Sequence, residues 1–313
     1  MNQKSNIAFV FPGQGSQKVG MLQDIAQNSP TVIDVFAEAS EALGYDLWEL
    51  VQTGSQDALN MTETTQPALL TASVALWRVW HERNGAQPSY MAGHSLGEWS
   101  ALVCADVVDF ADAVRLVRAR GRYMQDAVPA GAGAMAAIIG LDDNLVEKAC
   151  ADAATGEVVA PVNYNSPGQL VIAGTSAAVE RAMALCKEAG AKRALPLPVS
   201  APFHTLLMKP AAERLAAEIE KATFRAPRCR IVHNVNAAME SSPEAIKTLM
   251  IQQIYSPVLW VDCVKRLVAE GVTTTVECGP GKVLSGLGKR IERDLATLAI
   301  DTEASLAEAL TNV

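Results

Sequence analysis

At 313 residues, half of them hydrophobic and 19% charged, the chain has the composition of a folded globular protein with a substantial core rather than a disordered one. Its formal charge of −8 argues against a generic nucleic-acid or anionic-membrane binder. No apolar run is long enough to span a bilayer, and "MNQKSN" before "IAFVFPG" lacks the apolar core and cleavage site of a secretory leader, so a cytoplasmic location is expected.

The apolar run Ile7 to Phe11 reads as a strand entering a Pro-Gly-x-Gly turn. Helical spacing then dominates to about residue 84, including "PALLTASVALWRVW". "SYMAGHS" follows as a short buried strand, and "LGEWSALVCADVV" as a helix with Leu96, Trp99, Leu102 and Val103 on one face. Strands alternating with helices predict an α/β architecture with a parallel sheet. From about Gly133 to Ser200 the rhythm becomes βαββαβ, the ferredoxin-like order, with "NSPGQ" turning between the two middle strands. The expected organisation is a large domain made of residues 1–130 and 203–313, with a small subdomain, 131–202, inserted. A marginal helix is expected beyond Thr302. The six cysteines are scattered, with no C-x-x-C pair, as reduced buried thiols are, and form neither a disulfide framework nor a zinc site.

Gly93-His94-Ser95-Leu96-Gly97 matches G-x-S-x-G between a predicted strand and helix. Such an elbow exposes the serine oxygen on a strained turn, and the helix start aims backbone N–H groups, Leu96's above all, at a developing oxyanion. The serine needs a base, and there are four histidines. His94 is expected to orient the turn, His81 to end a helix, and His233 to be a hydrogen-bonded core residue. His204, where the chain leaves the small subdomain, is the base by elimination.

In "DFADAVRLVRARGRYMQ", Arg115, Arg118 and Arg122 share a solvated stripe, whereas Arg120 falls with Ala113, Leu116, Val117 and Met124 on the stripe that should be buried. A buried guanidinium is costly unless an anion meets it. That anion is either an internal carboxylate or a substrate's, gripped by arginine's bidentate fork. Ser95, a base and Arg120 together describe acyl transfer to or from a carboxylated substrate. "FPGQGSQ" lacks the third glycine of a dinucleotide loop, because Lys18 stands there. It leaves Gln14 as a candidate second oxyanion donor. "ECGPGKVLSGLGKR" reads as a tight turn before a helix.

"FPGQGSQ", "TQPALLTAS", "GHSLGEWSAL", "RARGRYMQ", "GAMAAIIGL", "NYNSPGQLVIAG", "FHTLLM", "YSPVLW" and "GPGKVLSGL" run along essentially the whole chain in one family's order. The sequence resembles the malonyl-CoA:acyl carrier protein transacylases of bacterial fatty-acid synthesis. The resemblance implies an α/β-hydrolase-like large domain with a parallel sheet and an inserted ferredoxin-like subdomain. It also implies transfer of malonyl from coenzyme A, through Ser95, to the phosphopantetheine thiol of an acyl carrier protein. His204 matches the family's base, Arg120 its malonate ligand, Gln14 and Leu96 its oxyanion-hole positions, and Gln253 the residue whose carbonyl orients the histidine. No metal or redox cofactor is expected, coenzyme A serving as the thioester of the substrate; no nucleic acid or membrane partner is expected, and the chain is expected to be a monomer.

Two departures stand out. Trp99 replaces a usual tyrosine, read as a packing variation, and Phe203 stands where many members have serine, which would close space beside the malonyl α-carbon. Carriers of this pathway are acidic, so docking needs a local basic patch; Lys192, Arg193, Lys282, Lys289 and Arg290 are its candidates. A serine hydrolase (thioesterase or esterase), a catalytically silent carrier-binding module, and the malonyltransferase subunit of a malonate decarboxylase system are the competing readings.

Overall fold

Strand β1 (Ile7–Phe11) alternates aromatic rings with small side chains. Phe9 and Phe11 enter the core on one side of the central sheet, while Ala8 and Val10 join Tyr90, Ala92 and Val232 on the other. A strand buried on both faces requires helices on both, which parallel crossovers supply. In this computed structural model, which describes residues 6–199 and 201–313, the later strands are β2 (Tyr90–Gly93), β3 (Gly133–Ile139), β4 (Val159–Ser166), β5 (Gln169–Thr175), β6 (Arg193–Pro196), β7 (Arg230–Val232), β8 (Thr274–Glu277) and β9 (Ala296–Ala299). The expected leaderless start at residues 1–5, and Ser200 after the last small-sheet strand, lie outside the described residues.

The large sheet runs β7-β2-β1-β8-β9 with every neighbour parallel. The small sheet runs β4-β5-β3-β6 and is antiparallel. Numbered within the βαββαβ unit, that order is 2-3-1-4, the ferredoxin-like arrangement. The fold is thus an α/β-hydrolase-like parallel sheet carrying a ferredoxin-like insertion. Helices Asp143–Ala154 and Ser176–Glu188 cover one face of the small sheet. There Ala136, Ile138, Leu170 and Ile172 meet Val146, Val179 and Cys186 in a core of their own. The alternate residues, Met135, Ala137, Gln169 and Val171, face the opposite way and roof a cavity against the large sheet. Strand periodicity therefore gives one segment two duties.

Glu277, at the end of β8, is fully buried. Its carboxylate accepts the N–H groups of Leu284 (3.0 Å) and Ser285 (2.7 Å) and the Ser285 hydroxyl (2.8 Å). An acidic cap of this kind satisfies orphan donors at a helix start. It fixes the helix Val283–Ile291, whose Val283, Leu284 and Leu287 line the cavity. The Gly-Pro turn before that helix thus positions a wall of the cavity. The last helix, Glu303–Asn312, is less marginal than expected, because Thr302 and Ser305 close a capping box at its start. The cysteines are free thiols, and among the described residues no helix is long and apolar enough to cross a membrane.

The strand–helix elbow depends on missing side chains. A Cβ on Gly97 would stand 1.9 Å from the Phe11 carbonyl oxygen, and one on Gly93 would stand 1.9 Å from the Gly97 carbonyl carbon. Both obstacles are backbone, so neither can step aside. On Gly286, in an exposed helix turn, a Cβ meets nothing within 4 Å. Gly97→Ala is expected to cost at least about 3 kcal/mol, a fall of several degrees in Tm. Gly286→Ala should instead raise Tm slightly, by helix propensity worth up to about 1 kcal/mol. Thermal unfolding of the two variants beside the parent checks both signs.

Candidate active site

β2 ends at Gly93 and the helix Leu96–Cys104 begins three residues later. Ser95 takes up the reversal at φ 51° and ψ −105°, a strained conformation for a residue with a side chain. Asn234 staples the turn. Its Oδ1 accepts the Ser95 N–H at 2.8 Å and its Nδ2 donates to the Gly93 carbonyl at 2.7 Å. The elbow opens into a cavity of about 310 Å³ between the two sheets.

Ser95 Oγ lies 2.8 Å from His204 Nε2, and His204 Nδ1 lies 2.8 Å from the Gln253 backbone carbonyl. A carbonyl can only accept, so Nδ1 carries the proton and Nε2 presents its lone pair to the serine hydroxyl. His204 is itself held at φ 64°. Burial, followed by the positive charge of Arg120, pushes its pKa down to about 3. The imidazole is therefore neutral, as a general base must be.

Arg120, 2% exposed on the helix Phe110–Asp126, points at the elbow. Its Nη2 donates to Ser95 Oγ at 3.1 Å and to Gln253 Oε1 at 3.0 Å, and its Nη1 donates to Gln66 Oε1 at 2.8 Å. Its Nε is buried with no partner among the described residues. Among the described residues no carboxylate touches the guanidinium; burial lowers its pKa to about 10, offset in part by the charge of Glu98. It remains a cation at neutral pH. The three other arginines of this helix are exposed. Gln14 and Leu96 both line the cavity beside Ser95, and among the described residues neither backbone N–H is engaged by a loop or turn acceptor. The Gln14 side chain reaches away, to Thr62 Oγ1 at 3.5 Å.

His94 Nε2 lies 2.8 Å from Asn165 Oδ1 on β4, so it ties the elbow to the small sheet as well as shaping the turn. His81 closes on the Trp77 carbonyl within its own helix. His233 is fully buried with Nδ1 2.7 Å from Glu98 Oε1. Phe203 is buried and lines the cavity next to His204, and Trp99 is wholly buried against Phe224.

Sequence reasoning missed Gln66, Glu98, Asn165 and Asn234. Glu98 did leave a signal: it is a lone acid in "LGEWSALVC", a helix that is otherwise apolar or small. Gln253 was expected to act through its carbonyl, yet its side chain also donates to the Ser95 carbonyl (3.0 Å) and to Glu98 Oε2 (2.7 Å).

The five candidate docking cations are all exposed. Arg290 Nη1 donates to Gln169 Oε1 at 2.7 Å. Gln169 and Arg193 both pair with Ile139 from opposite sides, Lys192 packs over Gly140, and Lys282 precedes Val283. Gln169 and Val283 line the cavity, so Arg290, bonded to Gln169, and Lys282, next to Val283, stand beside its lining.

The acyl transferase domain family matches residues 8–303. The chain is 60% identical over 306 residues to the malonyl CoA-acyl carrier protein transacylase of Escherichia coli strain K12, covering 98% of this chain and 99% of that one. It superposes on an acyl carrier protein S-malonyltransferase from Vibrio cholerae with a TM-score of 0.96 and 60% identity, covering 97% of this chain and 99% of that one. It also superposes, with a TM-score of 0.98 and 56% identity, on a malonyl-transacylase solved in complex with a type II PKS acyl-carrier protein, covering 99% of this chain and 100% of that one. Serine elbow, histidine and buried arginine thus occur in a chain that belongs to the acyl transferase domain family, among the malonyl CoA-acyl carrier protein transacylases.

Proposed function

We propose that the protein transfers malonyl groups from malonyl-CoA to the phosphopantetheine thiol of an acyl carrier protein in fatty-acid synthesis, through a malonyl ester on Ser95. The observation that carries this reading is the Arg120 guanidinium, buried without a carboxylate partner 3.1 Å from Ser95 Oγ. A hydrolase of uncharged esters has no use for it. In the first half-reaction Ser95 Oγ attacks the thioester carbonyl and His204 Nε2 takes its proton. The oxyanion is met by the Gln14 and Leu96 N–H groups, and His204 returns the proton to the departing coenzyme A sulfur. The carrier thiol then reverses these steps, giving ping-pong kinetics.

Three groups, Ser95, His204 and a backbone carbonyl, take the place of an acid triad. The carbonyl of Gln253 fixes the tautomer without adding negative charge, and the substrate brings its own. When the malonyl carboxylate meets Arg120, it offsets the charge that depresses His204, so the base strengthens as the right acyl group arrives. A thioester is already activated, so the reaction calls for no metal or redox cofactor. We read residues 1–130 and 203–313 as the domain that holds Ser95, His204 and Arg120, and 131–202 as the roof. The cations near Gln169 and Val283 suit an acidic carrier at the mouth, and we place the reaction in the cytoplasm.

Intact-mass analysis after mixing with malonyl-CoA is expected to show one malonyl adduct, discharged by added carrier protein and absent from Ser95→Ala. An adduct of equal yield on Ser95→Ala would make another residue the nucleophile. Charge-assisted hydrogen bonds are worth about 1.5–3 kcal/mol, so Arg120→Ala should cut the malonyl-to-acetyl ratio of kcat/KM roughly 10- to 150-fold; an unchanged ratio would falsify the carboxylate role.

The pH dependence follows from His204. A base whose pKa is lowered to about 3 stays neutral as pH falls through the usual histidine range near 6.5. The kcat/KM for malonyl-CoA should therefore show no sigmoidal loss centred near pH 6.5 in the parent. Folding stability has the matching sign. Below pH ~6.5 the unfolded chain binds a proton here that the folded chain refuses, so His204 costs stability progressively as pH falls toward the folded value. A rate profile falling with a midpoint near 6.5 would contradict the depressed base.

A further inference from the structure

A buried cation with no anion in contact must be balanced from somewhere. The charge opposite Arg120 is one amide away. Gln253 Oε1 accepts from Arg120 Nη2 at 3.0 Å, and Gln253 Nε2 donates to Glu98 Oε2 at 2.7 Å. Glu98 is completely buried, and its remaining bonds run away from the cavity, to His233 Nδ1 (2.7 Å) and the Asn234 N–H (3.2 Å). It is absent from the cavity lining, so it acts on the site through Gln253 and through its field.

We propose that Glu98 is a positioning residue that sets how tightly Arg120 holds the substrate's carboxylate, serving through the Gln253 amide as the resident counter-charge of that arginine. The inference rests on the reading that Arg120 receives the malonyl carboxylate. Without Glu98 the empty site would bury a bare positive charge, which is costly. With it the pair is neutral, and an arriving carboxylate is attracted by the cation in contact while being repelled, less strongly, by the anion behind it. That repulsion has a use in a two-step transfer. The malonyl group must leave again on the carrier, and a grip equally strong in ground state and transition state lowers KM without speeding the chemistry. The field of Glu98 partly offsets the lowering of the Arg120 pKa by burial, the sign this arrangement requires.

The test compares the full-length parent, Glu98→Gln and Glu98→Asp for transfer from malonyl-CoA and from acetyl-CoA to carrier protein bearing phosphopantetheine. Glutamine fits the site. Its oxygen can face the Asn234 and Gln253 donors, and its NH₂ can face His233, whose Nε2 has no partner among the described residues, so the ring can move its proton there. Removing one charge at this range should raise the malonyl-to-acetyl ratio of kcat/KM roughly tenfold, through a lower KM for malonyl-CoA, while Glu98→Asp stays within roughly twofold of the parent. An unchanged or lowered ratio in folded Glu98→Gln overturns the inference. So does a rise that Glu98→Asp shares, which would trace the effect to geometry. Failure of Glu98→Gln to fold overturns it as well, because the charge would then serve the fold. A parent that transfers no malonyl at all would instead remove the transferase reading, and this inference with it.

Discussion

The structure depends on keeping one guanidinium buried and aimed at a serine with no carboxylate against it. Arg120 is held by two glutamine oxygens, Gln66 Oε1 and Gln253 Oε1, and by Ser95 Oγ. Neutral acceptors orient a cation without cancelling it, which leaves its charge available to a ligand. That choice has consequences for the neighbours. After burial, the same charge further lowers the basicity of His204, and the compensating anion, Glu98, must sit where it cannot compete for the fork. Gln253 links the two requirements. Its carbonyl fixes the histidine tautomer while its amide separates cation from anion.

Both reacting residues sit on strained backbone, Ser95 at φ 51° and His204 at φ 64°. Strain of this kind costs of order 1–3 kcal/mol per residue and persists only where the surroundings over-determine it. Here Asn234 clamps the elbow through the Gly93 carbonyl and the Ser95 N–H, on either side of His94, and Thr205 Oγ1 donates to the Pro202 carbonyl at 2.7 Å beside His204. At the serine the penalty is met by hydrogen bonds that reach across the fold from the loop after β7, and at the histidine by a local one.

What was legible in the sequence was what repeats or keeps a fixed spacing. The G-x-S-x-G pattern located Ser95, the hundred-degree helical rotation separated Arg120 from Arg115, Arg118 and Arg122, and the βαββαβ order of strand-like and helical stretches between about Gly133 and Ser200 exposed the ferredoxin-like unit. The supporting residues had no such signature. Asn234 meets Ser95 across 139 positions, and Gln253 meets Glu98 across 155. An isolated buried polar residue has no period, and its partner is set by tertiary packing. Glu98 could have been flagged as an acid in an apolar helix, but nothing local could name its partners. The capped terminal helix was underrated for a smaller reason: serine in place of glutamate hides the capping box from a pattern built on acids.

The alternation of β3 and β5 bears on how the chamber can change. Ala136, Ile138, Leu170 and Ile172 hold the small sheet to its own helices, while Met135, Ala137, Gln169 and Val171 look into the acyl chamber. Even-numbered positions thus carry the integrity of the ceiling and odd-numbered ones its shape. A lineage or an engineer seeking room for a bulkier acyl group has a handful of interleaved sites to alter, each next to a residue whose loss would loosen the whole ceiling.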